Sequence, residues 1–163
     1  ITDSSRVAVG IRGRARHQRY ATQMSRAAIR RCVSPEQLLD VDLQQFPHLQ
    51  KRLLRIAKIM NSCNVQWGYT GSVGYELASG IQAVHEQSDI DLLVRMPNYL
   101  SKQIAQNMLQ QLAETTDKLD IQLQTPQGGV ALKEWATSSG KVLLKRHDAA
   151  VLVENPWQEK EVI

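Results

Sequence analysis

The segment Ser88-Asp89-Ile90-Asp91-Leu92-Leu93-Val94 limits the possible folds of this chain more than any other. Its apolar middle predicts a strand over Asp89 to Arg95. Alternate strand residues share a face, so Asp89 and Asp91 point one way while Ile90 and Leu92 enter the core. Two carboxylates at the mouth of an apolar strand repel each other unless something neutralises them. A divalent cation with oxygen ligands is the usual answer, and Mg²⁺ takes one or two carboxylates plus substrate phosphates. A solvent-facing strand edge, or the N-cap of a neighbouring element, is the competing reading of Asp-x-Asp alone.

Two further segments bear on that choice. Lys118-Leu119-Asp120-Ile121-Gln122-Leu123-Gln124 alternates cleanly, placing Asp120, Gln122 and Gln124 opposite Leu119, Ile121 and Leu123. If this strand neighbours Asp89–Arg95, Asp120 joins the first two acids; alone it reads as a surface acid at a strand opening. Gly71-Ser72-Val73-Gly74-Tyr75-Glu76 closes a short strand, Val65 to Tyr69, and opens a helix. Glycine permits close backbone approach, and a helix start offers unpaired N–H groups with positive dipole character, so Gly71 and Ser72 suit a phosphate oxygen. A Gly-Ser pair by itself is usually only a turn. Three acids on one sheet face, set opposite such a helix start, form a two-metal or metal-plus-base arrangement for displacement at phosphorus.

The remaining pattern is α+β. Arg6 to Ile11 reads as a strand followed by the Gly10–Gly13 loop. Ser34-Pro35-Glu36-Gln37 reads as a helix start with a capping box. Leu49, Leu53, Ile56 and Met60 form the apolar stripe of a helix after Pro47. Asn98 to about Thr115 reads as a helix with Ile104, Met108 and Leu112 on its stripe. Gly128-Gly129 punctuates, Val130 to about Thr137 reads as a short helix, and Lys141–Lys145 with Ala149–Val153 reads as a hairpin. Residues 1–31 hold eight arginines against one acid, giving +7 in a chain whose net charge is only +4. The chain therefore reads as a small basic N-terminal lobe, 1–45, and an α/β body, 46–163, with the basic lobe seeking an anionic partner. The first residue is Ile1, which implies a true N-terminus further upstream.

With 42% hydrophobic residues and few Gly and Pro, the chain can bury one core, which excludes disorder. No apolar run approaches the ~20 residues of a membrane span. Cys32 and Cys63 are far apart and the four histidines are scattered, so reduced thiols in a cytoplasmic protein are expected, without a zinc site. Only Tyr20 interleaves the basic segment, which gives base stacking on nucleic acid little support.

Gly71-Ser72, Asp89-Ile90-Asp91-Leu92 and the later Asp120 resemble the nucleotidyltransferase superfamily that includes DNA polymerase β. Thr70 stands where a hydrophobic residue is usual there, and sixteen residues separate Ser72 from Asp89, a longer gap than is common. A narrower match accommodates that gap. Trp67 to Gly80, Ser88 to Leu93, Asp120 to Pro126, Trp135-Ala136, Val9 to Gly13, Gln18 to Ala21 and Gly140 to Leu144 closely resemble the phosphoribosyl-dephospho-CoA transferase family that serves malonate decarboxylase. Its members are also called malonate decarboxylase holo-acyl-carrier-protein synthases.

The resemblance implies a nucleotidyltransferase-like mixed sheet flanked by helices and a Mg²⁺-dependent enzyme. Its donor would be 2′-(5″-triphosphoribosyl)-3′-dephospho-CoA and its acceptor a serine on the apo acyl-carrier subunit of malonate decarboxylase, with release of pyrophosphate. On that reading Asp89 and Asp91 bind Mg²⁺, Asp120 activates the serine hydroxyl or binds a second metal, and Gly71 and Ser72 hold the pyrophosphate portion. Arg12 and Arg14, within the cluster Arg12–Arg19, grip either the donor phosphates or an acidic carrier surface. Lys133 is a candidate phosphate contact, although a solvated lysine is the plainer reading. Arg95 is open to a phosphate contact or a structural ion pair, and Glu76 is read chiefly as complementing the helix dipole. Two other functions stand beside this one: nucleotidyl transfer to RNA or another protein, and a non-catalytic binding module on the same scaffold.

Overall fold

A computed structural model describes residues 5–13, 18–115 and 118–159. The chain divides into two compact units, Ile1–Val33 and Ser34–Ile163. In the first, β1 (Arg6–Arg12) pairs antiparallel with β2 (Arg19–Ser25), with Arg6 opposite Ser25 and Arg12 opposite Arg19. β2 carries no clean strand signal in its residues, since Tyr20, Thr22 and Met24 on one face and Arg19, Ala21, Gln23 and Ser25 on the other each mix polar with apolar side chains. The Ser25 hydroxyl accepts the Ala27 N–H at 3.2 Å and ends the hairpin in a short 3₁₀ turn.

The second unit is α+β, built on a six-stranded mixed sheet of order β3-β4-β5-β6-β7-β8. Its strands are β3 (Gln66–Thr70), β4 (Ile90–Arg95), β5 (Leu119–Thr125), β6 (Gly128–Ala131), β7 (Val142–Lys145) and β8 (Ala150–Val153). Only β4 and β5 run parallel; every other neighbouring pair is antiparallel. Among the described residues, the helices that flank the sheet are α1 (Gln50–Ser62), α2 (Gly71–Ser79), α3 (Lys102–Ala113) and α4 (Leu132–Thr137). Leu49, Leu53, Ile56 and Met60 are fully buried in one cluster with Trp67, Tyr69, Ile90, Leu92, Val94, Ile121 and Leu123. That cluster is the packed apolar face of the sheet, and the i, i+4 stripe of α1 is what closes it.

Several elements differ from the sequence reading. The unit boundary falls at Val33/Ser34 and not near residue 45, because Leu38, Leu43 and Phe46 are buried in the body. The helix expected from Ser34 is a single 3₁₀ turn, Pro35–Leu38, in which Gln37 Oε1 accepts the Ser34 N–H at 2.8 Å. This turn lies flat on β3: a Cβ at Gly68 would collide with the Pro35 carbonyl. α3 starts at Lys102 instead of Asn98. Residues 96–101 form no regular element, and their carbonyls are engaged from elsewhere: the Trp157 indole donates to the Met96 carbonyl at 2.8 Å and the Trp135 indole to the Leu100 carbonyl at 2.9 Å. Ser101 then caps the helix by accepting the Ile104 N–H at 3.3 Å, and Ala105, not the 53%-exposed Ile104, joins Met108 and Leu112 inside. Gly128-Gly129 is not merely punctuation but opens β6, and the Gln122 side chain occupies the space a Cβ on Gly129 would fill.

Arg95 is a structural pair, not a free phosphate ligand. Its guanidinium donates to Glu36 Oε1 at 2.5 Å and to Gln124 Oε1 at 2.7 Å, joining the Pro35–Leu38 turn to β4 and β5. The Arg95 hydrogen bond lowers the Glu36 carboxyl to about 2 from its ordinary 4.5. A carboxyl lowered in the folded state adds stability above its unfolded value and loses it as the pH falls toward the folded one. The wild type should therefore lose thermal stability between about pH 5 and 2, and Glu36→Gln should flatten that part of the curve, as melting at stepped pH will show. Gly68→Ala should cost about 1–3 kcal/mol in denaturant unfolding, because the backbone of the Pro35 turn has nowhere to move.

Candidate functional site

The site grows out of strand pairing. Because β3 and β4 are antiparallel, the end of β3 lies beside the start of β4, with Thr70 opposite Asp91. Because β4 and β5 are parallel, the two starts lie side by side, with Asp91 opposite Asp120. Thr70, Asp91 and Asp120 thus form one row across three neighbouring strands, spaced by the ~4.8 Å of a sheet. Asp89 lies immediately before β4, outside the strand, and is close enough for its charge to act on Asp91.

Gly71 fits into this row more tightly than a turn requires. It opens α2 with φ +57, a left-handed conformation that other residues adopt only at a cost. A Cβ built there would fall on Asp91 Oδ2, so the Asp91 carboxylate occupies the space that the missing side chain leaves. Gly74 repeats the theme one turn later: its Cβ would come within 2.6 Å of the Tyr69 carbonyl oxygen, which holds α2 close against the end of β3. No side chain caps the start of α2, so its first N–H groups are open beside Ser72, which is half-buried.

Asp91 is half-buried, whereas Asp89 and Asp120 are exposed. Burial pushes the Asp91 carboxyl above the usual range, and the charges of Asp120 and Asp89 push it the same way. Among the described residues no basic side chain pairs with it. This is a concentration of negative charge without a counter-charge, the condition a divalent cation relieves. Among the described residues there is no group of three or more His, Cys, Asp or Glu side chains set to hold a metal ion. Mg²⁺ does not need one, since it keeps several waters and binds through one or two carboxylates plus substrate phosphates. Asp91 with one neighbouring carboxylate would meet that requirement.

The other expected site residues divide. Gly71, Ser72, Asp89, Asp91 and Asp120 come together. Lys133 is exposed on α4, without a hydrogen bond or ion pair to the three acids among the described residues. Arg12 ends β1 in the first unit, and Arg14 lies outside the described residues. Glu76 lies in the second turn of α2, past the reach of the helix-start dipole it was expected to complement, and its Oε2 instead accepts N–H groups from Ala83 and Val84. Nothing in the residue pattern announces that contact, which depends on how the following loop returns.

The model of the phosphoribosyl-dephospho-CoA transferase MdcG C-terminal domain matches residues 37–156, and that of the N-terminal domain matches residues 2–35. The chain belongs to the phosphoribosyl-dephospho-CoA transferase family. Relatives of that name include one from Pseudomonas syringae pv. tomato, 44% identical over 162 residues, covering 98% of this chain and 76% of the relative. One from Pseudomonas aeruginosa is 43% identical and covers 98% and 77%. One from Azotobacter vinelandii is 42% identical and covers 94% and 74%. No solved structure matches. The family's two domain models meet between residues 35 and 37, close to where the two units divide. Membership makes the chain a transferase.

Asp91→Asn tests the crowding directly. An acid whose carboxyl is raised in the folded state opposes folding once ionised, and it stops doing so as the pH falls through its folded value. Without divalent cations the amide variant should melt above the wild type at neutral pH, with the gap closing as the solution is acidified. Differential scanning calorimetry in EDTA measures both.

Proposed function

We propose that this transferase moves the phosphoribosyl-dephospho-CoA group from 2′-(5″-triphosphoribosyl)-3′-dephospho-CoA to a serine of the apo acyl-carrier subunit of malonate decarboxylase. The observation that carries the reading is the Asp91 carboxylate lodged against Gly71, with Asp120 in register beside it. The name shared by the relatives supplies the group transferred. In this reaction the serine oxygen attacks the phosphorus attached to the ribose, a phosphodiester forms, and the bond to the outer two phosphates breaks to release pyrophosphate.

Asp89 and Asp91 would hold Mg²⁺, which supplies charge neutralisation on the triphosphate and the leaving group when bound. Asp120 is exposed beside Asp91 and takes up the proton of the serine hydroxyl. The Gly71–Ser72 turn presents backbone N–H groups and one hydroxyl to the departing pyrophosphate. The partner serine is the nucleophile, so the chain itself needs none. The arginine-rich first unit, including Arg12 and Arg14, supplies positive charge for the donor phosphates or for an acidic carrier surface, and Lys133 adds a further cation on the body. A cytoplasmic setting accords with two free cysteines and with the lack, among the described residues, of any helix long and apolar enough to cross a membrane.

The assay mixes chain, Mg²⁺, triphosphoribosyl donor and apo carrier subunit, and follows carrier mass and pyrophosphate together. Wild type should add the phosphoribosyl-dephospho-CoA mass to the carrier, with EDTA abolishing the gain. Asp89→Ala and Asp91→Ala should each lower transfer by about a thousandfold or more while leaving the circular dichroism spectrum intact. Modification of RNA or another protein instead of the carrier would replace this acceptor, and silence with every donor would make the chain a binding module. In the same assay Arg12→Glu with Arg14→Glu should weaken binding in a salt-dependent manner. A higher KM for carrier alone assigns these arginines to the carrier, and a higher KM for donor alone assigns them to the phosphates.

A further inference from the structure

The loop between α2 and β4 carries Asp89, and a single carboxylate holds the middle of it. α2 ends at Gly80, whose left-handed backbone, φ 71, turns the chain back toward the helix it has just left. The Ser79 hydroxyl accepts the Ile81 N–H at 3.2 Å. Glu76 Oε2 then accepts the Ala83 N–H at 2.7 Å and the Val84 N–H at 2.8 Å. The Val84 side chain is buried in the core cluster. Further on, the buried Ser88 accepts the His85 N–H at 3.0 Å through its hydroxyl and donates its own N–H to the His85 carbonyl at 2.9 Å. Asp89 follows Ser88 directly, and Ile90 begins β4.

We infer that Glu76 is a positioning residue that sets where Asp89 stands relative to the Gly71–Ser72 turn, by clamping both N–H groups of the loop to the helix that begins at Gly71. The inference rests on the reading of Asp89 as a Mg²⁺ ligand given under Proposed function and deepens it. Two N–H bonds to one carboxylate oxygen are charge-assisted and directional, so the loop is held in register and not merely nearby. Oε2 of Glu76 is committed to this contact. Outer groups that orient a metal ligand typically change metal affinity or activity by about 10–100-fold when removed.

Glu76→Ala and Glu76→Gln would be compared with wild type, with Asp91→Ala as the reference for the site itself. Three quantities are read: hydrogen exchange at the Ala83 and Val84 amides, Mn²⁺ binding by electron paramagnetic resonance, and kcat against donor KM. Glu76→Ala should lose protection at both amides, bind Mn²⁺ about 10–100-fold more weakly and lower kcat while donor KM holds. Glu76→Gln keeps a side-chain oxygen able to accept the same two bonds and should restore most of all three. Should Glu76→Ala fail to fold, Glu76→Asp, too short to reach both N–H groups, takes its place. Lost protection with unchanged Mn²⁺ affinity and kcat overturns the inference, as does a Gln variant that regains protection without regaining Mn²⁺ affinity. If Asp91→Ala binds Mn²⁺ and transfers like wild type, the site reading itself falls. If Asp91→Ala is inactive while Glu76→Ala behaves as wild type, only the role of Glu76 falls.

Discussion

Everything around the candidate site depends on one close approach: a carboxylate of β4 seated where the first residue of α2 has no side chain. That contact requires glycine at position 71 twice over, once for the left-handed backbone and once for the space. It brings the open N-terminus of α2 against Asp91 and makes Asp91 the most buried of the three acids. Burial and two neighbouring charges then leave that carboxyl reluctant to ionise, a local cost that a cation or a phosphate-bound metal would lift.

The rest of the second unit serves to hold that approach steady. One face of the sheet is closed by the α1 stripe, and the Tyr69 hydroxyl donates to the Leu53 carbonyl at 3.3 Å, joining β3 to α1 next to the turn. On the other side the Pro35–Leu38 turn rests on Gly68 and is locked by Glu36 and Arg95. The same strand, β4, thus carries a compensated ion pair at its end and uncompensated acids at its start. The contrast is chemical in origin: Arg95 has its carboxylate and amide partners within reach, while among the described residues Asp91 has no basic side chain paired with it and lies near the charges of Asp120 and Asp89.

Strand direction explains why the acids converge at all. An antiparallel step from β3 to β4 sets a strand end next to a strand start, and a parallel step from β4 to β5 sets two starts together. The parallel step needs a crossover, which α3 supplies. Reversing either step would separate Asp120 or Gly71 from Asp91 by the length of a strand.

Much of this was legible in the residues. The alternation of β5, the stripe of α1 and the β7–β8 hairpin follow from periodicities of 2 and 3.6, which depend only on local geometry. So did the family, because its motifs run along nearly the whole chain. What the sequence alone could not determine were contacts made across the chain. The boundary at Val33/Ser34, the irregular run before α3, the pairing of Arg95 with Glu36 and the grip of Glu76 on Ala83 and Val84 each join residues that no local period relates. The row of Thr70, Asp91 and Asp120 belongs to the same class: each residue's face was set by its own strand, but their adjacency was decided only when three strands paired.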